Sequence, residues 1–444
     1  MRELFRIKDS LANKISYYHL MLLMASLPFD RFYSHLILGS FAIHTLIQLK
    51  KDDLKRVFKW QTVLLQSVFI ITVLGTIYSP DRPEAFNEWS RQITILILPL
   101  FVGLNGLDLK KYKPQLLLAF MLVCTATIIY LYADAFITIK HYGVPLKSIF
   151  TGAFTNHNFS QPIDMHATFF SMQLAVALIY ALSALVKEQL FYNKLLHSIC
   201  ALILIAGLVQ LCSKSVFVVI MLVVNIALPW FLLQTKKRLK YVVISFAVSL
   251  VTIAGVLYSG TFRDRFVNEL KLDLSKASKT EVFDGRLARW NVVMDLIKKR
   301  PVTGYGSGSE IALLQDGFFS HKLYNSYLNR LNAHNQYLSI LLKTGIGGLL
   351  IYLLTLAFGF KVALKNRDLL FFSFMMLVAV VGLSENLLDV DKGIFFYAFF
   401  FSFFFFASQS DSGSTEILMV NDKKPNSDKI GVVEEVHTLL LSVN

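Results

Sequence analysis

The chain has little charge, almost no cysteine, and no long polar stretch except one late segment and its C-terminus. Of 444 residues, 17% are charged and three are cysteine (Cys124, Cys200 and Cys212). All three cysteines sit inside apolar runs, which argues against a disulfide framework or a metal cluster and leaves the compartment open. The scarcity of charge excludes an ordinary soluble domain. Hydrophobic residues make up 55% of the chain and the mean hydropathy is +0.54, whereas soluble domains run at about 45–50% apolar even with glycine counted. No small-residue cleavage site follows the charged N-terminus, Met1 to Lys14. The first apolar run therefore reads as a retained span and not as a removed signal peptide. Repeats of solenoid length are also lacking. Acidic residues fall short of basic ones, 30 against 44, giving a formal net charge of +14. In a soluble protein that excess would suggest nucleic acid. Here it sits in short loops between apolar runs, so it speaks to topology and no nucleic-acid partner is expected.

What is present in quantity is apolar sequence of membrane-crossing length. Twelve runs qualify, near residues 15–30, 33–49, 60–79, 90–106, 114–138, 165–186, 194–212, 214–234, 240–259, 335–360, 368–385 and 393–408. Positive charge gathers in alternate loops, such as Lys50, Lys51, Lys55, Arg56 and Lys59, or Lys236, Lys237, Arg238 and Lys240. The intervening loops hold Asp81, Glu84 and Glu88, or Glu385, Asp389 and Asp391. That asymmetry places both termini in the cytoplasm and the 281–338 stretch on the other side; long loops cross largely regardless of their charge. The expected fold is an all-α polytopic membrane protein of about twelve transmembrane helices, with one large external loop containing short helices. Residues 1–408 would form the membrane domain, with the loop at 260–334. Residues 409–444 change to Ser, Asp, Lys, Asn and Gly and read as a poorly ordered cytoplasmic tail, with a short helix near Val432–Leu441. The run Phe395–Phe406 reads as lipid-facing bulk.

The polar stretch from Glu281 to Leu338 is where chemistry is expected. Asp284 is a good N-cap, and Gly285 to Lys299 holds no helix breaker past its first turn, so the spacing predicts a helix ending before Pro301. At about 100° per residue, Leu287, Trp290, Val293, Met294 and Ile297 share one face, and Arg286 falls near its middle. Asn291, Asp295, Lys298 and Lys299 point away. An arginine turned inward in a first helical turn either binds an anion or pairs with a neighbouring acid, Asp284 or Glu281. Downstream, Gly304, Gly306 and Gly308 resemble a phosphate-cradling loop only superficially. No strand precedes them, so a flexible turn is the better reading. His334 stands where the loop re-enters the membrane, with Asn332 as a candidate N-cap. A neutral imidazole there either takes a proton from a hydroxyl or is an ordinary hydrogen-bonded interfacial side chain. Asn335 and Gln336 would orient it or bind sugar hydroxyls.

Other charges lie at the same membrane face. Lys214 interrupts an apolar stretch, where it either marks a site or snorkels to water. Arg91 has the same ambiguity. Glu385 and Asp389 would steady a cation or stay solvated, and Asp164 with His166 form a weaker pair just before the sixth run.

Three groups of residues in this order and placement resemble the O-antigen ligase and O-antigen polymerase superfamily of bacterial envelope proteins. They are Gly285-Arg286 with Trp290, then Pro301 with Gly304-Tyr305-Gly306, then His334-Asn335-Gln336-Tyr337-Leu338, in a large loop late in the chain. The specific motifs cover roughly residues 210–345. The resemblance implies a bacterial inner-membrane enzyme that moves a glycan from undecaprenyl diphosphate to a hydroxyl acceptor on the periplasmic face, by an inverting mechanism needing neither metal nor cofactor. Arg286 matches the loop arginine thought to hold the diphosphate, and His334 the histidine thought to activate the acceptor. The family commonly has a Ser-Arg pair at the start of a mid-chain span, and Ser213-Lys214 stands there instead. Lysine keeps the charge but loses the bidentate fork, which weakens the carry-over at that position and leaves Arg289 to share the diphosphate. Asn335, Gln336, Glu385, Arg91 and His166 are supporting candidates. The partners implied are the lipid-linked glycan, lipid A–core or another hydroxyl acceptor, and membrane lipids. A polymerase and a protein O-oligosaccharyltransferase use the same donor chemistry. A polytopic transporter or lipid flippase is the non-enzymatic alternative.

Overall fold

Each of the twelve apolar runs forms helix, and polar residues at their starts explain where the helices begin. The computed structural model describes residues 6–273 and 284–409. Glu281 and the expected tail, with its short helix near Val432–Leu441, lie outside the described residues. The helices are α1 (Leu11–Ser26), α2 (Arg31–Ile47), α3 (Ser67–Thr76), α4 (Arg82–Leu104) and α5 (Leu109–His141). Then come α6 (Ala167–Lys187), α7 (Phe191–Leu211), α8 (Lys214–Leu232, with a π turn) and α9 (Thr235–Tyr258). Two helices of the polar stretch follow, α10 (Arg286–Lys299) and α11 (Glu310–Ser320), and then α12 (Gln336–Lys365), α13 (Leu369–Val381) and α14 (Asp391–Ala407). No strand occurs among the described residues. Side chains of Ser10, Asp30, Asp81 and Asp108 accept the first free amides of α1, α2, α4 and α5, and Asp368 does so for α13.

Six of these helices (α5, α6, α7, α8, α12 and the Thr235–Gly255 part of α9) are long and apolar enough to cross a membrane. The other runs give shorter or more charged helices. α1 has 16 residues, α2 has 17 and α13 has 13, while α4 carries Arg82, Glu84, Glu88 and Arg91 in its first half.

The phenylalanine run contradicts the lipid-facing expectation. In α14, Phe396, Phe399, Phe400 and Phe404 are at most 1% exposed. Their rings meet those of α13 and α5, with Phe374 5.7 Å from Phe396 and Phe120 5.1 Å from Phe400. A helix apolar on every side fits the centre of a bundle, where neighbours cover it all round. Lipid-facing bulk would need only one apolar face.

The polar stretch packs a small core of its own. α10 buries Ala288, Val292, Val293 and Ile297 against Leu314, Phe318 and Leu342. Its inward face is turned relative to the expected one, so Met294 is exposed and Arg289, not Arg286, is the arginine fully inside. Asp284 does not cap the helix. Gly285 holds the N-cap position and the Asp284 carboxylate accepts from the Ser326 amide at 2.7 Å.

The glycine stretch is packed, which corrects the expectation of a flexible turn. It threads between the end of α3 and the start of α12. Ser307 N donates to Gly75 O at 3.2 Å and Gly306 N to Lys343 O at 2.8 Å, while Gly308 N donates to the Glu88 carboxylate. Gly306 has φ +93°, and a Cβ there would lie 2.5 Å from Ser79 Cα. Only glycine fits so close an approach in that conformation. With these amides already donating to protein oxygens, the loop has no nest left for a phosphate.

Beneath this loop lies a buried ionic cluster that no motif announced. Lys343 Nζ is 2.6 Å from Glu88, 2.9 Å from Asp389 and 3.8 Å from Glu310. The side chains of Lys343, Glu88 and Glu310 are each 6% exposed. Glu310 accepts from the Ala333 amide at 3.0 Å and from Asn386 Nδ2 at 3.1 Å, as well as from the Ser339 hydroxyl. Burial pushes the Glu310 carboxyl above its usual range despite Lys343. One cation thus joins α4, α11, α12 and the segment before α14. Removing one partner of a buried ion pair costs about 3–5 kcal/mol, because the other charges are left dry. Lys343→Met should therefore lower the midpoint of thermal aggregation of the detergent-purified protein. A midpoint equal to wild type would show that the cluster does not hold the fold.

Candidate functional site

Two positively charged residues of the site, Lys214 and Arg286, are the first residues of their helices. Cys212, with φ +51°, ends α7 in a left-handed turn and makes Lys214 the first residue of α8. Lys214 Nζ lies 3.5 Å from Glu269 and 3.6 Å from Asp273, both on the short helix Glu269–Asp273. Arg286 is the first residue of α10. Its guanidinium lies 3.8 Å from Asp273 and 3.8 Å from Glu385. Asp273 therefore sits between two cations at distances longer than a good hydrogen bond. The Lys214 side chain is partly exposed and lies near two carboxylates.

Arg289, one turn along α10, is 4% exposed, and its Nε and Nη1 have no hydrogen-bond partner among the described residues. Burial first, and then the nearby charge of Arg286, lower its pKa to about 10. It remains a cation at neutral pH, and a buried guanidinium with open donors is unusual unless an anion joins it.

His334 precedes α12 in a left-handed conformation, φ +45°. Its amide donates to Asn332 Oδ1 at 2.9 Å, and the Ala333 carbonyl beside it accepts from Trp290 Nε1 at 2.9 Å. The expected cap is corrected here: Asn335, not Asn332, accepts the first amides of α12, from Tyr337 and Leu338. The His334 Nδ1 lies 3.3 Å from Glu385 Oε2. Burial pushes the Glu385 carboxyl up. The His334 hydrogen bond and the charge of Arg286 help outweigh that, and the carboxyl is held below the usual range. An ionised carboxylate only accepts, so Nδ1 carries a proton, and in a neutral ring Nε2 then keeps its lone pair.

These groups line one cavity of about 810 Å³, together with His157 and His166. Trp290, Leu331, Val380 and Leu383 give the cavity an apolar side. The chain thus brings together Lys214, Arg286, Arg289, His334, Glu385 and His166. It does not bring in the other three candidates. Arg91 pairs with Glu84 at 3.2 Å and lines a separate cavity of about 290 Å³ beside Lys343. Asn335 and Gln336 serve the backbone. Asn335 Nδ2 donates to Leu383 O at 3.2 Å, and Gln336 Oε1 accepts from the Leu388 amide at 2.7 Å. Both residues are buried and neither lines the cavity. Asp389 belongs to the Lys343 cluster, not to the cations of the cavity.

Sequence reasoning passed over Arg265, Glu269, Asp273 and His157, which also line the cavity. The alternation of acids and bases from Arg263 to Asp273, between an apolar run and the first motif, was the available signal. Arg265 pairs with Glu269 at 2.8 Å.

Comparison with curated proteins finds no match. The family model described as O-antigen ligase matches residues 199–353, well under half of the chain. That span contains Lys214, Arg286, Arg289 and His334, and leaves His166 and Glu385 outside it. The match supports placing this chain in the O-antigen ligase superfamily, whose members are glycosyltransferase-like membrane enzymes.

Proposed function

We propose that the protein is an O-antigen ligase that transfers a glycan from undecaprenyl diphosphate to a hydroxyl of lipid A–core on the periplasmic face of the inner membrane. The observation that carries this reading is that one carboxylate, Glu385, lies beside both Arg286 and His334 across a single cavity. Groups suited to hold an anion and to accept a proton are thereby within one substrate's width. In this reading all twelve apolar runs span the membrane, both termini are cytoplasmic, and 260–334 is a periplasmic loop within a 1–408 transferase domain. The tail, 409–444, stays in the cytoplasm. Membrane lipids surround the bundle and the polyprenyl chain lies among them.

The reaction balances with groups already in the cavity. The acceptor oxygen attacks C1 of the donor sugar, and its proton passes to His334 Nε2. The C1–O bond to the diphosphate breaks, and its electron pair stays on the departing diphosphate oxygen. Charge grows there, so Arg286, Arg289 and Lys214 stabilise the transition state more than the ground state. Glu385 stabilises the imidazolium that forms and holds the ring in the tautomer that accepts. Asp273 lies between Lys214 and Arg286, 3.6 and 3.8 Å from them, where a phosphate oxygen would meet the same two cations. Attack from the side opposite the leaving group inverts C1.

The same donor chemistry serves a polymerase or a protein O-oligosaccharyltransferase, and the acceptor separates them. Lipopolysaccharide from a deletion strain should show core without O-antigen on a gel. One retained repeat would indicate a polymerase, and an unchanged pattern an oligosaccharyltransferase. With purified protein and lipid-linked donor, Arg286→Lys should lower transfer by about 10²–10³, the usual effect of losing one transition-state donor. His334→Ala should lower it by about 10²–10⁴, the usual contribution of a general base. Both variants should still insert, and wild-type rates from both would remove the assignment. No donor consumption by the wild type would favour a transporter or flippase. For topology, reporter fusions after Lys51 should be active only as cytoplasmic reporters, and fusions after Lys322 only as exported ones. The opposite pattern at Lys322 would place the loop on the wrong side.

A further inference from the structure

Two histidines on the cavity wall take no part in the reaction derived above. His157 begins the short helix His157–Ser160, and His166 caps α6. Their rings meet edge to face with centroids 4.3 Å apart. The loop that carries them is tied to the end of α7. Asn156 N donates to Gln210 O at 2.9 Å, and Gln210 Nε2 donates to Ile149 O at 2.7 Å. Within the loop, the Ser160 hydroxyl donates to Met165 O at 2.6 Å and fixes the approach of the two histidines.

Backbone amides set their tautomers. The Thr168 amide donates to His166 Nδ1 at 3.3 Å, and the Ala167 amide makes a longer contact of 3.5 Å to His157 Nδ1. An Nδ1 that accepts carries no proton, so each neutral ring bears its hydrogen on Nε2. Neither Nε2 has a partner among the described residues, although both rings line the cavity. Burial, partly offset by the charge of Glu385, lowers the His166 pKa to about 4, which keeps the ring uncharged at neutral pH. His166 also feels the charges of His334 and Arg286. His166 lines the same cavity as His334 and Arg286.

We infer that His157 and His166 form an uncharged donor pair that binds oxygen atoms, hydroxyl or amide carbonyl, of the sugar joined directly to the donor's diphosphate. This rests on the reading of the cavity as a lipid-diphosphate glycan site and names which part of that donor the pair meets. Neutral donors suit the task. They recognise neutral oxygens without competing with Arg286, Arg289 and Lys214 for the phosphates, and they add no charge beside a carbon that becomes positive as its bond to the leaving group breaks.

The test compares binding of two probes to the detergent-purified full chain: undecaprenyl diphosphate, and the same lipid carrying its glycan. Asparagine places an acceptor near the Nδ1 position, so His157→Asn and His166→Asn keep the backbone contact and remove the Nε2 donor. Each should weaken binding of the glycan-bearing lipid by about 2- to 10-fold, the range for one neutral hydrogen bond, and leave undecaprenyl diphosphate binding unchanged. His166→Gln reaches to the Nε2 position with an amide donor but gives up the cap. It should retain glycan-lipid affinity while lowering thermal stability. Equal weakening of both lipids by the asparagine variants, or no weakening of either, overturns the assignment. If wild-type protein binds neither lipid, the lipid-diphosphate reading itself fails. If it binds both and the asparagine variants do not discriminate, only the sugar contact fails.

Discussion

A lysine buried among three carboxylates holds this structure together at the end where the site lies. Lys343 is on the first turns of α12, Glu88 on α4, Glu310 on α11 and Asp389 just before α14. Charges so deep are tolerated only when paired and hydrogen-bonded, so each helix end is fixed by where its charge must be. The cluster also reaches the site. The Glu310 oxygen that accepts from Asn386 accepts from the Ala333 amide as well, and Asn386 Oδ1 accepts from the Asn335 amide at 2.8 Å. His334 lies between those two tethered residues. Its left-handed backbone is strained for a residue with a side chain, and it persists because its neighbours on both sides are held. The position of the imidazole is thus set by a network that never touches it.

The cavity balances charge in the opposite sense. Lys214, Arg265, Arg286 and Arg289 line the cavity with three carboxylates, Glu269, Asp273 and Glu385. The pairs of Lys214 and Arg286 are long, between 3.5 and 3.8 Å, and Arg289 has two open donors. Buried structural pairs close up, as Lys343 does with Glu88 at 2.6 Å. The contrast holds for individual pairs: Lys343 is close to Glu88 and Asp389, whereas Lys214 and Arg286 have no partner nearer than 3.5 Å among their described ion pairs. The diphosphate of the proposed donor would enter among the loose pairs, whereas entering the Lys343 cluster would require breaking contacts that join four elements.

Helices were legible in the sequence because apolar run length and polar starts are local signals, and every run became helix. Which runs are individually of bilayer length was less legible. α13 stops at Val381, ahead of the polar run Ser384-Glu385-Asn386, and α3 is separated from its preceding turn at Gln66. Burial was the weakest inference, since composition alone does not say whether the phenylalanines of α14 meet lipid or other helices. The site was legible where a residue sat in a motif, as with Arg286 and His334, and where charge interrupted an apolar run, as with Lys214 and Glu385. Arg91, Asn335 and Gln336 met the same criteria and do other work. His157 had no local signal, because the cavity it lines is completed by residues far along the chain, from Lys214 to Glu385.

The location of the site follows from the poverty of charge with which the sequence begins. A bundle whose helices are apolar on most faces has nowhere to put ionisable groups except at helix ends and in the connections between them. Lys214 opens α8, Arg286 opens α10, His334 immediately precedes α12, Glu385 follows α13 and His166 caps α6. Five chain breaks at one end of the bundle therefore gather the charge that the helices exclude. Two of them use left-handed residues, Cys212 and His334, to turn the chain. The apolar side of the same cavity, from Trp290 to Leu383, continues toward the helices. A substrate with a charged head and a hydrocarbon tail matches that gradient, since its charge meets the helix starts while its tail stays with the apolar faces that created them.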